Sequence, residues 1–376
     1  MASRDWEGAA NAEILCINTG GKGDLHGLRM RRLAAYLPFP CAFHDLDKND
    51  RKGAMRGLWQ IITERPWRLI YQESTGIASG FNMIRAARER KMRYVVSSGD
   101  PIEGFFRVTK GVVAGRAFGI YERLLMRHST GFIGWTPYLT GRAIELGAPR
   151  GVTVEGAADL DLFVPLPETE RQAIRAEYKI TPGHIVCGIV GSLRWTPKQN
   201  YCYGLELIEA ARRIKRDDVT FLIVGDGTGK VELEKRVPEA MRKRVIFTGR
   251  VPETEVVRVM NAMHIGFITQ SLDELGMYRL TTKMPEYLAC GLPIAISPIP
   301  GYFDYIGDGA GWALPPYHPA SAIFHDKLTA WLETITREEI AAKASACRTI
   351  AETRFSYPHV ASKFRAFIEH VLSLPT

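Results

Sequence analysis

Lys283 and Glu286 stand in the run Thr281-Thr282-Lys283-Met284-Pro285-Glu286-Tyr287-Leu288-Ala289-Cys290-Gly291-Leu292-Pro293. The pattern reads as a loop, a helix start, one carboxylate in the first turns, then Gly-x-Pro into an apolar strand. A helix N-terminus carries unpaired N–H groups and partial positive charge, a natural seat for phosphate. Lys283 adds a full charge there. Glu286 can accept hydrogen bonds from ribose hydroxyls, which phosphate groups would refuse. The layout suits a nucleoside diphosphate.

Other candidates lie at strand ends. Gly20-Gly21-Lys22-Gly23 follows the first strand and precedes a helix with Arg29, Arg31 and Arg32. Glycine lets backbone approach a ligand, or simply makes a tight turn. Leu25 and His26 break any GxGxxG reading, and no ribose-binding acid follows the second strand, which disfavours a dinucleotide oxidoreductase. Gly191-Ser192-Leu193-Arg194-Trp195-Thr196-Pro197-Lys198 is a glycine turn with two cations, Arg194 and Lys198. Phe221–Gly227 and Val245–Val251 are apolar strands ending in Gly225 and in Gly249-Arg250-Val251. Ser97-Ser98-Gly99-Asp100-Pro101 offers Asp100, as a site acid or as the cap of the next helix. The Asp45–Asp47 and Asp159–Asp161 pairs read as solvated acids. With no His/Cys ligand constellation, no essential metal is expected.

Strand–helix alternation must position these residues. Expected strands are Glu13–Asn18, Cys41–Leu46, Arg68–Gln72, Tyr94–Ser97, Phe132–Trp135 and Val152–Val154, then Ile185–Val190, Thr220–Val224, Val245–Thr248, Ile265–Thr269, Ile294–Ser297 and Gly311–Leu314. Continuous apolar strands between amphipathic helices imply parallel sheets covered on both faces. The alternation breaks at Asp161–Glu168, where two prolines precede a charged helix over Glu170–Lys179. The chain of 376 residues therefore divides into domains at 1–165 and 166–355, with a closing helix in 356–376.

The formal net charge of +8 favours anionic partners. The basic residues are spread out and no aromatic-basic module appears, so nucleic acid is not expected as a partner. The six cysteines form no CxxC pair and read as buried free thiols of a reducing compartment. The N-terminus carries acidic residues and no apolar core, so no signal peptide is expected. No run approaches the roughly 20 apolar residues of a bilayer span. A cytoplasmic protein is expected, with peripheral contact at the inner membrane face left open. The segment Phe105–His128 mixes apolar and basic residues and reads as a domain helix in preference to a lipid-binding one.

Together, Gly191–Asn200, Phe221–Gly227, Val245–Val251 and Lys283-x-x-Glu286-Tyr-Leu-Ala-x-Gly-x-Pro resemble the successive elements of GT-B glycosyltransferases of the retaining family 4. Gly156–Pro165 and Ile299–Ile306, with Asp304 in an acidic slot, resemble two more. The resemblance covers residues 150–310 well and residues 1–150 weakly. It implies two Rossmann-like domains with parallel sheets facing across a cleft. The first would bind acceptor and the second donor, with the closing helix crossing back to the first. It implies donor contacts from Gly21, Gly191, Arg194, Lys198, Gly225, Arg250, Val251, Thr282, Lys283 and Glu286. Asp100, Arg194 and Lys198 would serve the chemistry, with Lys22 a weaker candidate. The family's acidic motif has two glutamates separated by seven residues. Glu286 fits the second, whereas Tyr278 occupies the first slot; Glu274, four residues further back, is a candidate for an offset replacement, which the sequence leaves open.

The implied reaction is retaining, metal-independent transfer of a sugar from a nucleotide-diphosphate donor to a hydroxyl acceptor, with no further cofactor. The acceptor would be a glycan, a lipid-linked molecule or a small molecule, in polysaccharide, lipopolysaccharide or other glycoconjugate assembly. Two rivals share the fold: a nucleotide-sugar epimerase, and a catalytically silent sugar- or lipid-binding protein.

Overall fold

The computed structural model describes residues 7–8, 10–47, 49–195 and 200–375. It divides into two compact units, Met1–Glu155 with Tyr278–Leu280 and Tyr357–Thr376, and Gly156–Met277 with Thr281–Ser356.

The N-terminal unit holds a sheet of β1 (Glu7–Gly8), β2 (Ile14–Asn18), β3 (Cys41–Asp45), β4 (Leu69–Glu73), β5 (Tyr94–Ser98), β6 (Gly131–Gly134) and β7 (Gly151–Thr153) in the order β1-β3-β2-β4-β5-β6-β7. All pairings are parallel except β1 on β3. Every residue of β2, β4, β5 and β6 is buried, as the continuous apolar runs demand of a sheet covered on both faces. The last helix, Tyr357–Ser373, belongs to this unit. Phe364 packs on Tyr71 with ring centroids 5.0 Å apart. Lys363 pairs with Glu155 at 3.0 Å.

The C-terminal unit holds β8 (Ile185–Val190), β9 (Val219–Val224), β10 (Val245–Gly249), β11 (Ile265–Ile268), β12 (Ile294–Ile296) and β13 (Gly311–Ala313), all parallel, in the order β10-β9-β8-β11-β12-β13. In both sheets the order reverses beside the first long strand, between β2 and β4 and between β8 and β11. At such a switch point the connections leave on opposite faces, and a crevice opens beyond the strands' carboxyl ends.

Every strand expected from the sequence is present, and the short edge strand β1 is an addition. The domain boundary differs. Residues 156–165 carry the linker-like prolines, yet they pack within the C-terminal unit. Ala158 donates to the Phe355 carbonyl at 2.9 Å. Arg348 holds the Phe163 carbonyl at 2.8 Å, and Asn261 the Val164 carbonyl at 2.9 Å. The structural division therefore falls at Glu155, because prolines bend a chain without deciding which core it joins. The helix expected over Glu170–Lys179 runs Glu168–Glu177.

The basic stretch Phe105–His128 is two helices, Ile102–Lys110 and Val112–His128, broken at Gly111. Phe106 stacks on Phe118 at 3.6 Å inside this hairpin, while Val113 and Ile120 remain exposed. Among the described residues no helix is long and apolar enough to cross a membrane. All six cysteines are free, and all but Cys41 are buried.

Candidate functional site

Three strand ends of the C-terminal unit are braided through their backbones. After β8, Gly191 N–H donates to the Val224 carbonyl at 3.0 Å, and Leu193 N–H to the Asp226 carbonyl at 3.0 Å. In return Gly229 N–H donates to the Leu193 carbonyl at 2.7 Å. Gly225 N–H donates to the Gly249 carbonyl at 3.0 Å. Gly225 sits at φ +135, and a Cβ there would lie 1.9 Å from the Gly191 oxygen. Two backbones can approach this closely only where one side lacks a side chain. The braid sets the loops carrying Gly191, Arg194, Gly225, Arg250 and Val251 along one end of the sheet. Arg194 and Arg250 are exposed there, and Val251 is half-buried. Lys198 lies outside the described residues.

The helix Lys283–Ala289 is tied to the same end. Tyr287 is fully buried, and its hydroxyl accepts the Val190 N–H at 2.8 Å. Burial pushes its phenol well above the usual tyrosine range. Glu286, one residue earlier, accepts from Lys283 Nζ at 2.8 Å, with both side chains largely sheltered. The two groups the sequence assigns to phosphate and to ribose thus face one another. Thr282 makes no side-chain cap bond. Its neighbour Thr281 has a buried Oγ1 with no partner, a free polar group that the sequence reading passed over.

Sequence reasoning also missed the polar cluster at the β8–β11 switch. Glu206 is fully buried, accepting from the Tyr201 hydroxyl at 3.0 Å and from Thr269 Oγ1 at 2.7 Å. Burial raises its pKa above the ordinary carboxylate value, with both hydroxyls acting against the rise. Gln270 donates to the Tyr203 hydroxyl at 2.9 Å. Glu206 carries no sequence signal, because an acid in the first turn of a helix is expected on any solvated surface.

The N-terminal unit has a pocket of about 690 Å³ at the carboxyl ends of β2, β4 and β5, lined by Thr19, Thr75, Ser98, Asp100, Phe105 and Phe118 among others. Gly21, at φ +87, lies in the turn entering the helix Leu25–Ala34. Asn18 organises that turn, donating to the Gly21 carbonyl at 2.8 Å and to Asp24 at 3.0 Å. Lys22 is exposed. Asp100 does not cap the helix Ile102–Lys110. The N–H groups of Ile102 and Glu103 are taken by Glu122, at 3.2 and 3.1 Å. Asp100 instead pairs with Arg279, Nε to Oδ1 at 2.6 Å.

Tyr278 belongs to the N-terminal unit, packed against its core. Its carbonyl accepts from Thr136 at 2.9 Å, and Arg142 lies 5.8 Å over its ring. Glu274 and Asp304 are exposed. Of the Asp-x-Asp residues, Asp45 is bound by Arg31 at 2.7 Å, and Asp159 accepts from Asp161 and Leu162 N–H groups. Among the described residues no group of three or more His, Cys, Asp or Glu side chains is placed to hold a metal ion.

Comparison with known proteins places this arrangement in a class. Residues 184–333 match the family model of glycosyl transferases group 1. Over 193 residues the chain is 31% identical to 2-deoxystreptamine glucosyltransferase of Streptomyces kanamyceticus, covering 50% of this chain and 47% of that one. It is 30% identical over 104 residues to 2-deoxystreptamine N-acetyl-D-glucosaminyltransferase of Streptomyces fradiae, covering 27% and 24%. The chain thus spans about half or less of the curated relatives it matches. The structure of Anabaena HepE in complex with UDP and glucose superposes with a TM-score of 0.73 at 16% identity, over 95% of this chain and 99% of that one. The fold is GT-B.

Proposed function

We propose that the protein is a retaining glycosyltransferase that moves a sugar from a nucleoside diphosphate donor to a hydroxyl acceptor. The observation that carries this is the Lys283–Glu286 pair, held by Tyr287 against the glycine braid of the C-terminal unit. In this reading a diphosphate takes Lys283 from Glu286, and the Glu286 carboxylate accepts the ribose hydroxyls. The unpartnered Thr281 hydroxyl is available to the same ligand. UDP, bound by the structurally similar Anabaena protein, is the first nucleotide to test.

The barrier is departure of the diphosphate while positive charge grows at the anomeric carbon. Lys283, Arg194 and Lys198 supply positive charge for the leaving oxygens, so no metal is assigned. Retention follows if the leaving phosphate oxygen takes the acceptor proton as the new C–O bond forms on the same face. No side chain is assigned as a general base. In the C-terminal unit Gly191, Gly225, Arg250, Val251 and Thr282 would shape the donor pocket through backbone contacts; in the N-terminal unit Asp100 would serve the acceptor. The acceptor named for the Streptomyces relatives, 2-deoxystreptamine, supports a small-molecule acceptor over a polysaccharide.

Calorimetric titration with UDP tests the reading. Glu286→Ala should weaken binding about tenfold or more, the worth of hydrogen bonds to a charged group. Unchanged affinity would remove the assignment. Tyr278 in place of an acid favours a second reading, a silent sugar-binding protein. That reading predicts UDP binding with neither transfer nor hydrolysis of any UDP-sugar.

A further inference from the structure

His26 opens the helix Leu25–Ala34 and lines the pocket of the N-terminal unit. Its Nδ1 is buried and has no hydrogen-bond partner. An orphaned buried N–H is costlier than an unfilled lone pair, so the proton belongs on Nε2, the accessible nitrogen. The ring is held in place. It lies against Trp135 at 5.7 Å between centroids, tilted by 50°. Trp135 Nε1 donates to Glu73 and to Ser97, each at 3.3 Å, and the Arg29 guanidinium covers its ring at 4.6 Å. Glu73 is fixed in turn by Arg29 at 3.2 Å, by Ser97 at 3.0 Å and by the Tyr71 hydroxyl. A fixed donor therefore borders the cavity with no acceptor among the described residues.

The rest of the lining says what it would meet. Phe105, Phe106 and Phe118 give an apolar face, and Ser98 and Thr75 give hydroxyls. Among the described residues of the lining Lys110 is the one lysine, beside two acids, Asp47 and Asp100, of which Asp100 is met by Arg279. The described lining holds no surplus of positive charge, so it is not built for an anionic guest.

We propose that this pocket takes the acceptor as a hydroxylated ring compound with an apolar face and no negative charge, and that Nε2–H of His26 donates to one of its oxygens. This rests on the glycosyltransferase reading, but it is tested independently of the donor. The probe is octyl β-D-glucopyranoside below its micellar concentration, with D-glucuronate and inorganic phosphate as anionic comparators, on the full chain. Calorimetry and imidazole nitrogen NMR should show the glucoside binding and shifting the His26 Nε2 signal, with no binding of either anion. His26→Ala should weaken the glucoside about three- to tenfold, the worth of one neutral hydrogen bond. His26→Gln, which keeps a donor, should restore most of it, and UDP affinity should not move in either variant. The proposal is overturned if the glucoside does not bind, if His26→Ala binds it equally well, or if glucuronate or phosphate binds in its place. Failure of UDP to bind the unaltered chain would instead sink the donor assignment and leave the glucoside result standing.

Discussion

The Val190 N–H donates to the Tyr287 hydroxyl across 2.8 Å, joining the last residue of β8 to the helix that carries Glu286. Both groups are buried. Tyr287→Phe keeps the ring and strands the N–H, which costs about 1–3 kcal/mol. Urea unfolding should show that loss, and UDP binding should weaken with it as Glu286 loses its footing. A variant as stable as the parent would mean that another group takes the amide.

Gly225→Ala should be more damaging. Its Cβ would meet the Gly191 oxygen at 1.9 Å, backbone against backbone, at a φ that L-residues avoid. Neither side can rotate away, so about 3 kcal/mol or more should be lost. The thermal midpoint reads this directly.

Arg194→Ala separates binding from folding. The side chain is exposed, and truncating it should leave stability within about 0.5 kcal/mol. If Arg194 meets the donor phosphates, UDP affinity should fall about tenfold, as for a charge-assisted hydrogen bond. Equal affinity would strike it from the donor set.

His264 should make the protein acid-sensitive. Its Nδ1 accepts the Val186 N–H at 2.9 Å, so the ring must stay neutral there. Burial, and then the charge of Arg175, push its pKa from 6.5 down to about 3. The unfolded chain binds the proton below 6.5 and the folded chain does not. Stability is therefore full above pH 6.5 and falls as pH drops toward 3, by at most about 1.4 kcal/mol per unit. Glu206 works in the other direction. Its raised pKa means its contribution is full below 4.5 and is lost as pH rises through the folded value. His264→Asn should flatten the acid limb of a stability–pH curve, and Glu206→Gln the limb above pH 4.5.

The strands were legible because each is a continuous apolar run, and the Lys283-x-x-Glu286 spacing was legible because it falls within one helical turn. The pairing of Lys283 with Glu286 follows from the same spacing, three residues apart. The buried acids were not legible. Glu206 and Glu73 look like surface residues until partners distant in sequence, Thr269 for one and Arg29 for the other, surround them. Asp100 was open between two roles because its partner, Arg279, lies 179 positions away. The domain boundary was misplaced for a like reason. Proline marks a bend, while allegiance to a core is decided by residues such as Arg348 and Asn261, far along the chain.

Because Lys283 and Glu286 pair with each other, a nucleotide bound as proposed would have to displace an internal rival to reach either. Its grip would then be a difference between contacts, the new ones less the old. The same competition would speed departure, since the lysine and the acid could close on each other again as a spent diphosphate leaves.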